Sequence, residues 1–274
     1  MKHFALALLA LLPTIACSSP AGSAGAFELP AATEPYDASH SRLDALLGAY
    51  VVGDTVDYVA LKAERGELDL YLANLAQLDH ETFAALPRAE RYAFWINVYN
   101  ASILRLIVEH HPVDSIRDLG GAVFGRVWDQ RLIPLGHLAP ELGEANLSFT
   151  DVEHAILRPR FEDARVHAAI NCASISCPPL LNRAFVAASL EADLDEVMRA
   201  FVNDPNRNTL DDAANELQVS AIFDWFAEDF EQDAGSVREY ILSFANGSET
   251  TWIRDAGLSY LDYDWNLNAV SDKP

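Results

Sequence analysis

The chain has 274 residues, half of them hydrophobic and 10% aromatic, which is enough to bury a sizeable core and excludes wholesale disorder. Its 19 Lys and Arg stand against 41 Asp and Glu, a formal charge of −22 that excludes nucleic-acid binding in the absence of a hidden basic patch. Three cysteines are too few for a disulfide scaffold.

The first segment reads as an address. Lys2 and His3 precede an unbroken apolar run from Phe4 to Leu12, and Pro13 ends it. The run is too short to span a bilayer as a mature helix, so residues 1–16 predict a signal peptide. Cys17 after the small Ala16 resembles a bacterial lipobox, which implies that Cys17 becomes a lipidated N-terminus. Cleavage at Ala24-Gly25-Ala26 is the alternative. The expected location is a bacterial membrane facing the periplasm, reached through the lipid anchor only; the alternative is a soluble periplasmic or secreted protein. Residues 17–35, rich in Ser, Ala, Gly and Pro, predict a flexible tether. Residues 36–274 then form one globular domain, with no internal linker before residue 270.

Leu43, Leu46, Leu47, Tyr50 and Val51 recur at helical spacing, as do Leu68, Tyr71, Leu72 and Leu75. A longer helix is expected from Arg88 to His110, bounded by Pro87 and Pro112. Its middle, Tyr92 to Ala101, is apolar nearly all round and so belongs at the centre of the fold. Leu132–Leu138 predicts a strand, and Ser148–Leu157 a short helix stopped by Pro159. Within it, Thr150 and Glu153 fit a capping box, which competes with a chemical role for Glu153. Arg165–Asn171 alternates as a buried strand would, leading into the irregular Cys172–Pro179 loop. Further helices are expected over 189–201, 222–230 and 237–244, with strands over 216–220 and 259–265. The fold class is therefore α+β, a single helix-rich domain with a small, mainly antiparallel sheet.

The span from Phe149 to Leu180 concentrates the chemistry. His154 lies in the first turn of the expected helix, where the helix N-terminus disfavours the imidazolium. His167 is either a buried histidine satisfied by the backbone or a base poised near Cys172. Cys172 and Cys177 admit three readings: a disulfide, a thiolate nucleophile activated by His167 or His154, or half of a metal site. If one is the nucleophile, Cys172 is favoured, because Pro178 forces Cys177 into extended geometry. Asn97 and Asn100 share a face of the apolar helix; each pins a loop or, alternatively, orients a histidine or donates to an oxyanion. Asp264 is a solvated strand residue or a second orienting group, and Glu228-Asp229 reads as solvated surface.

With these residues in view, the chain resembles the domain family DUF547, through Tyr92–Ala101, Asp151–Pro159, Arg165–Leu180 and Tyr260–Trp265. The resemblance implies an exported protein of this fold and supplies no activity; any likeness to papain-like or transglutaminase-like thiol enzymes is fold-level analogy. The expectation is a thiol-dependent hydrolase or acyltransferase acting on an amide or ester of an unidentified small-molecule or peptide substrate, with no cofactor and no metal. The alternatives are a non-catalytic ligand-binding or structural lipoprotein with a Cys172–Cys177 disulfide, and a metal-binding protein.

Overall fold

The computed structural model describes residues 25–120, 126–247 and 251–270. The expected signal peptide and Cys17 lie outside the described residues.

Helices α1 (Ser41–Tyr50), α2 (Tyr58–Ala63), α3 (Arg65–Leu75) and α4 (His80–Ala85) wrap the long α5 (Arg88–His110). Between α1 and α2, β1 (Val51–Val52) and β2 (Thr55–Val56) form a short antiparallel ribbon. Every residue of α5 from Tyr92 to Val108 is buried, as its all-round apolar sequence predicts. Trp95 sits edge-on to Phe83, with ring centroids 5.7 Å apart, and edge-on to Phe94 at 5.3 Å. Arg105 is the one charged residue in this buried run. Its buried guanidinium pairs with Asp69 of α3 and with Glu109, and lies 4.9 Å over the Phe27 ring. A buried cation is tolerable only with such partners.

Phe27 also carries a correction. Within the segment read as a tether, the described residues are tied down: Phe27 is buried, and its amide bonds the Leu132 carbonyl at 2.8 Å. The Thr33 and Glu34 amides bond the Asn74 side chain.

The chain then passes through 3₁₀ turns rather than the expected strand over 132–138. That stretch makes one isolated bridge, Ile133 to Leu147, and a 3₁₀ turn at Gly136–Leu138. Gly136 belongs there because a Cβ would collide with the Glu144 carbonyl oxygen, 1.8 Å away. Asp151–Leu157 is a π-helix, continued by α6 (Arg158–Phe161). Arg165–Asn171 is not a strand; its core is the single helical turn α7 (Val166–Ala169). After α8 (Leu190–Val202), strands β3 (Thr209–Asp211), β4 (Glu216–Val219) and β5 (Gly257–Tyr260) form one sheet, antiparallel between β3 and β4 and parallel between β4 and β5. Helices α9 (Ile222–Trp225), α10 (Ala227–Ala234) and α11 (Val237–Phe244) lie between β4 and β5. The fold is α+β and helix-rich, as expected, but its small sheets are one antiparallel ribbon and one mixed three-stranded sheet rather than a single, mainly antiparallel one. No helix among the described residues is long and apolar enough to cross a membrane.

Candidate functional site

The π-helix sets up one wall. Its capping pair is Ser148 and Asp151, two residues earlier than Thr150 and Glu153: the Ser148 amide bonds Asp151 at 2.9 Å and the Asp151 amide bonds the Ser148 hydroxyl at 3.0 Å. Thr150 instead donates to Asp129. Glu153 is thereby released from any capping duty and turns inward, buried, accepting a hydrogen bond from Tyr99 of α5 at 3.2 Å. Burial pushes its carboxyl up to about 7, against the Tyr99 bond and the Arg158 charge, and the charge on Cys177 adds to the rise. A π-turn is a costly geometry that recurs where function needs a side chain re-aimed.

The second wall is the Cys172–Cys177 loop. Its conformation is over-determined. Asn100 bonds the Ala169 carbonyl and the Asn171 amide, both at 2.9 Å, and Asn171 bonds the Pro178 carbonyl at 2.8 Å. The buried Arg207 donates to the carbonyls of Cys177 at 2.6 Å and Ile175 at 2.9 Å. From the C-terminal segment, the carbonyls of Asn266 and Asp264 accept the Ile175 and Ser176 amides. Ala173 is held at a φ of 62°, a left-handed conformation unusual for a residue with a Cβ and of the kind concentrated at functional loops.

Both cysteines are free, and they share a hydrogen-bond cluster. The Cys177 sulfur accepts the Cys172 amide at 3.0 Å and the Tyr263 hydroxyl at 3.2 Å. The Cys172 sulfur contacts the Ser174 hydroxyl at 3.1 Å and Tyr263 at 3.4 Å. Burial raises the Cys177 thiol, but donation from the Cys172 side chain, Tyr263 and the Cys172 amide outweighs it and holds the group below the usual thiol range. Cys172, which donates to Cys177 and is itself buried by its surroundings, is pushed up. Of the two sulfurs, Cys177 is the one that receives a backbone amide, so it is the better placed to carry a thiolate.

Neither histidine hydrogen-bonds a sulfur. His167 stacks on Phe226, centroids 3.9 Å apart, and bonds Asp229 through Nε2 at 2.7 Å. Burial lowers its pKa in spite of that carboxylate, so the ring is neutral and Nε2–H donates. Asp229 takes its charge partner from Arg158, at 2.6 and 2.9 Å. His154 is half-exposed beside Arg158, and burial with that positive neighbour lowers its pKa too. Of the candidate orienting groups, Asn97 is taken up by the Phe185 backbone, at 2.7 and 3.0 Å, and Asn100 by the loop. Asp264 is exposed and bonds Asn266. The group that orients His167 is Asp229, which the sequence reading assigned to solvated surface.

Glu153, His154, His167, Cys172 and Cys177 line one cavity of about 550 Å³, together with Tyr99, Trp128, Trp225, Phe226, Tyr263 and Trp265. The aromatic rings form a connected wall, Tyr263 to Trp265 at 4.5 Å and Trp265 to Trp128 at 5.4 Å. Among the described residues, no group of three or more His, Cys, Asp and Glu side chains is placed to hold a metal ion. Tyr263, Asp229 and Arg207 went unremarked as site residues in the sequence. Only the Tyr263-Asp-Trp265 string carried a signal, as part of the family resemblance.

The buried carboxyl gives a stability test. Native Glu153 keeps its proton up to about pH 7, whereas an unfolded glutamate loses it near its ordinary value of 4.5. The native state binds the extra proton in that window, so stability falls as pH rises from about 4.5 to about 7 and is level above. Glu153→Gln should cancel the fall, leaving the variant roughly 3 kcal/mol more stable than wild type at pH 8 and unchanged at pH 4. Urea unfolding at the two pH values checks this; a pH-independent difference rejects a buried neutral carboxyl.

No curated protein and no solved structure matches the chain. A family model does match, over residues 83–202, and its description is "Protein of unknown function, DUF547". That span contains α5, the π-helix and the cysteine loop and excludes Asp229 and Tyr263, so the match supports the DUF547 domain family for the part of the chain that carries Glu153, His167 and both cysteines.

Proposed function

We propose that the protein is a thiol-dependent hydrolase or acyltransferase in which Cys177, rather than Cys172, attacks an amide or ester carbonyl. The observation that carries this reading is the Cys177 sulfur in the cavity wall, accepting a backbone amide at 3.0 Å and a tyrosine hydroxyl at 3.2 Å. Such donors stabilise a thiolate near neutral pH without a histidine partner. The thiolate forms a C–S bond to the carbonyl carbon, and the carbonyl π pair moves to oxygen. Collapse of that adduct breaks the bond to the amine or alcohol, leaving a thioester. Glu153, protonated over part of the neutral range, supplies a proton to the departing group and, as carboxylate, takes one from the incoming water or alcohol. His167 and Asp229 hold the Phe226 side of the cavity in place.

A second reading keeps the cavity as a ligand pocket and joins the two cysteines in a structural disulfide; the 3.0 Å contact of the Cys172 amide with the Cys177 sulfur, which brings the two residues together, favours it. Peptide mapping of native protein under non-reducing conditions separates the two. Free Cys172 and Cys177 peptides support the thiol enzyme, and a covalent Cys172–Cys177 peptide that resists mild reductant rejects it.

The location is part of the same proposal. The apolar run before Cys17 supports export and lipid anchorage. Cys17→Ser should move the protein from the membrane fraction to the soluble fraction, read by immunoblot after fractionation; unchanged membrane association rejects the lipid anchor as the attachment.

A further inference from the structure

The cavity is charged in the opposite sense to the rest of the molecule. The chain carries a formal −22, yet the side chains that line this cavity include Arg117 and Arg126 against one carboxyl, Glu153. Glu153 carries only part of a charge at neutral pH. Arg117 lies 5.3 Å over the Trp265 ring and makes no ion pair among the described residues. Arg126 pairs with Asp129 at 3.5 Å, both side chains exposed, a contact that solvent screens. Arg158, which bonds the cavity residue His154, is already neutralised by Asp229. Arg117, with no ion pair among the described residues, and Arg126, whose one carboxylate partner is solvent-exposed, thus border an apolar wall of Trp265, Trp128 and Tyr263.

We propose that the acyl donor is a small molecule with a flat or ring-shaped apolar body that lies on the Trp265 wall and a carboxylate that binds Arg117 and Arg126. A guanidinium over an aromatic ring keeps its in-plane N–H groups free for a bidentate carboxylate. In an acidic protein, such a patch also draws an anion toward the thiol that the rest of the surface repels. This inference rests on the thiol reading, and its test separates the two.

The probes are iodoacetate and iodoacetamide, similar in size and different in charge. With either, the Cys177 sulfur forms a C–S bond as iodide leaves. The ratio of the two alkylation rates at Cys177, divided by the same ratio for N-acetylcysteine in the same buffer, should be about five- to tenfold at low ionic strength. Arg117→Gln with Arg126→Gln should bring it to about one, and Arg117→Lys with Arg126→Lys should retain most of it. Reaction with both reagents at a ratio that the Gln substitutions leave unmoved overturns the carboxylate inference alone. Failure of Cys177 to react with either reagent overturns the thiol reading and this inference with it.

Discussion

Cys177→Ser should remove the thiol that alkylates below neutral pH. In wild type, the iodoacetamide rate at Cys177 should rise with pH to a plateau with an inflection at or below about pH 7, because the thiolate accepts the Cys172 amide and the Tyr263 hydroxyl. In Cys177→Ser the loop thiol that remains, Cys172, lacks that amide, and its inflection should move upward, out of the range below neutral pH. At pH 6 the total rate should fall by about tenfold or more; the lower intrinsic nucleophilicity of a low-pKa thiolate keeps the factor from being larger. Cys172→Ser should act differently. It removes one donor to Cys177, raising the Cys177 inflection while leaving the plateau in place. Tyr263→Phe removes another and should shift the same inflection upward. If the low inflection survives Cys177→Ser, the charge resides on Cys172 and the assignment of the nucleophile is reversed.

The largest stability effect is expected at Trp95. Its side chain is fully buried in the middle of α5, between Phe83 and Phe94. Trp95→Ala should cost about 3–5 kcal/mol, from lost transfer energy and an unfilled cavity. Trp225, about half exposed at the mouth of the candidate site, provides the contrast. Trp225→Ala should cost under about 1 kcal/mol, since much of its surface is already wet. Denaturant unfolding of the two variants measures both. A Trp95→Ala cost below about 1 kcal/mol rejects α5 as the centre of the fold.

Helix α5 was legible because two prolines bound it and its apolar residues leave no polar face over Tyr92–Ala101. Its two asparagines were legible as polar groups that need partners, and their partners are backbone groups of adjoining loops. The Arg165–Asn171 segment was not legible. A single helical turn offers too few residues for a 3.6 period to show, and Val-His-Ala-Ala-Ile alternates by accident. The Thr150–Glu153 capping pattern misled because Ser148 and Asp151 offer an equivalent pair two residues earlier, and local sequence does not choose between them. The cysteine span stood out by composition alone. Which sulfur receives the backbone amide did not, because the arrangement is fixed by the fold of the loop and by Tyr263, 86 residues away from Cys177. Asp229 was hidden for a similar reason. It lies among acidic neighbours on α10, and only the packing of Phe226 against His167 reveals that it faces inward.

The most direct test of the thiol-enzyme account is to trap the acyl intermediate. Reduced protein mixed with p-nitrophenyl acetate at pH 7 should release p-nitrophenolate as the Cys177 sulfur takes the acetyl carbon. Acid quenching followed by peptide mass mapping should then find one acetyl group on the Cys177 peptide, absent in Cys177→Ser and retained in Cys172→Ser. An acetyl group on Cys172, or none on either cysteine, would contradict the account.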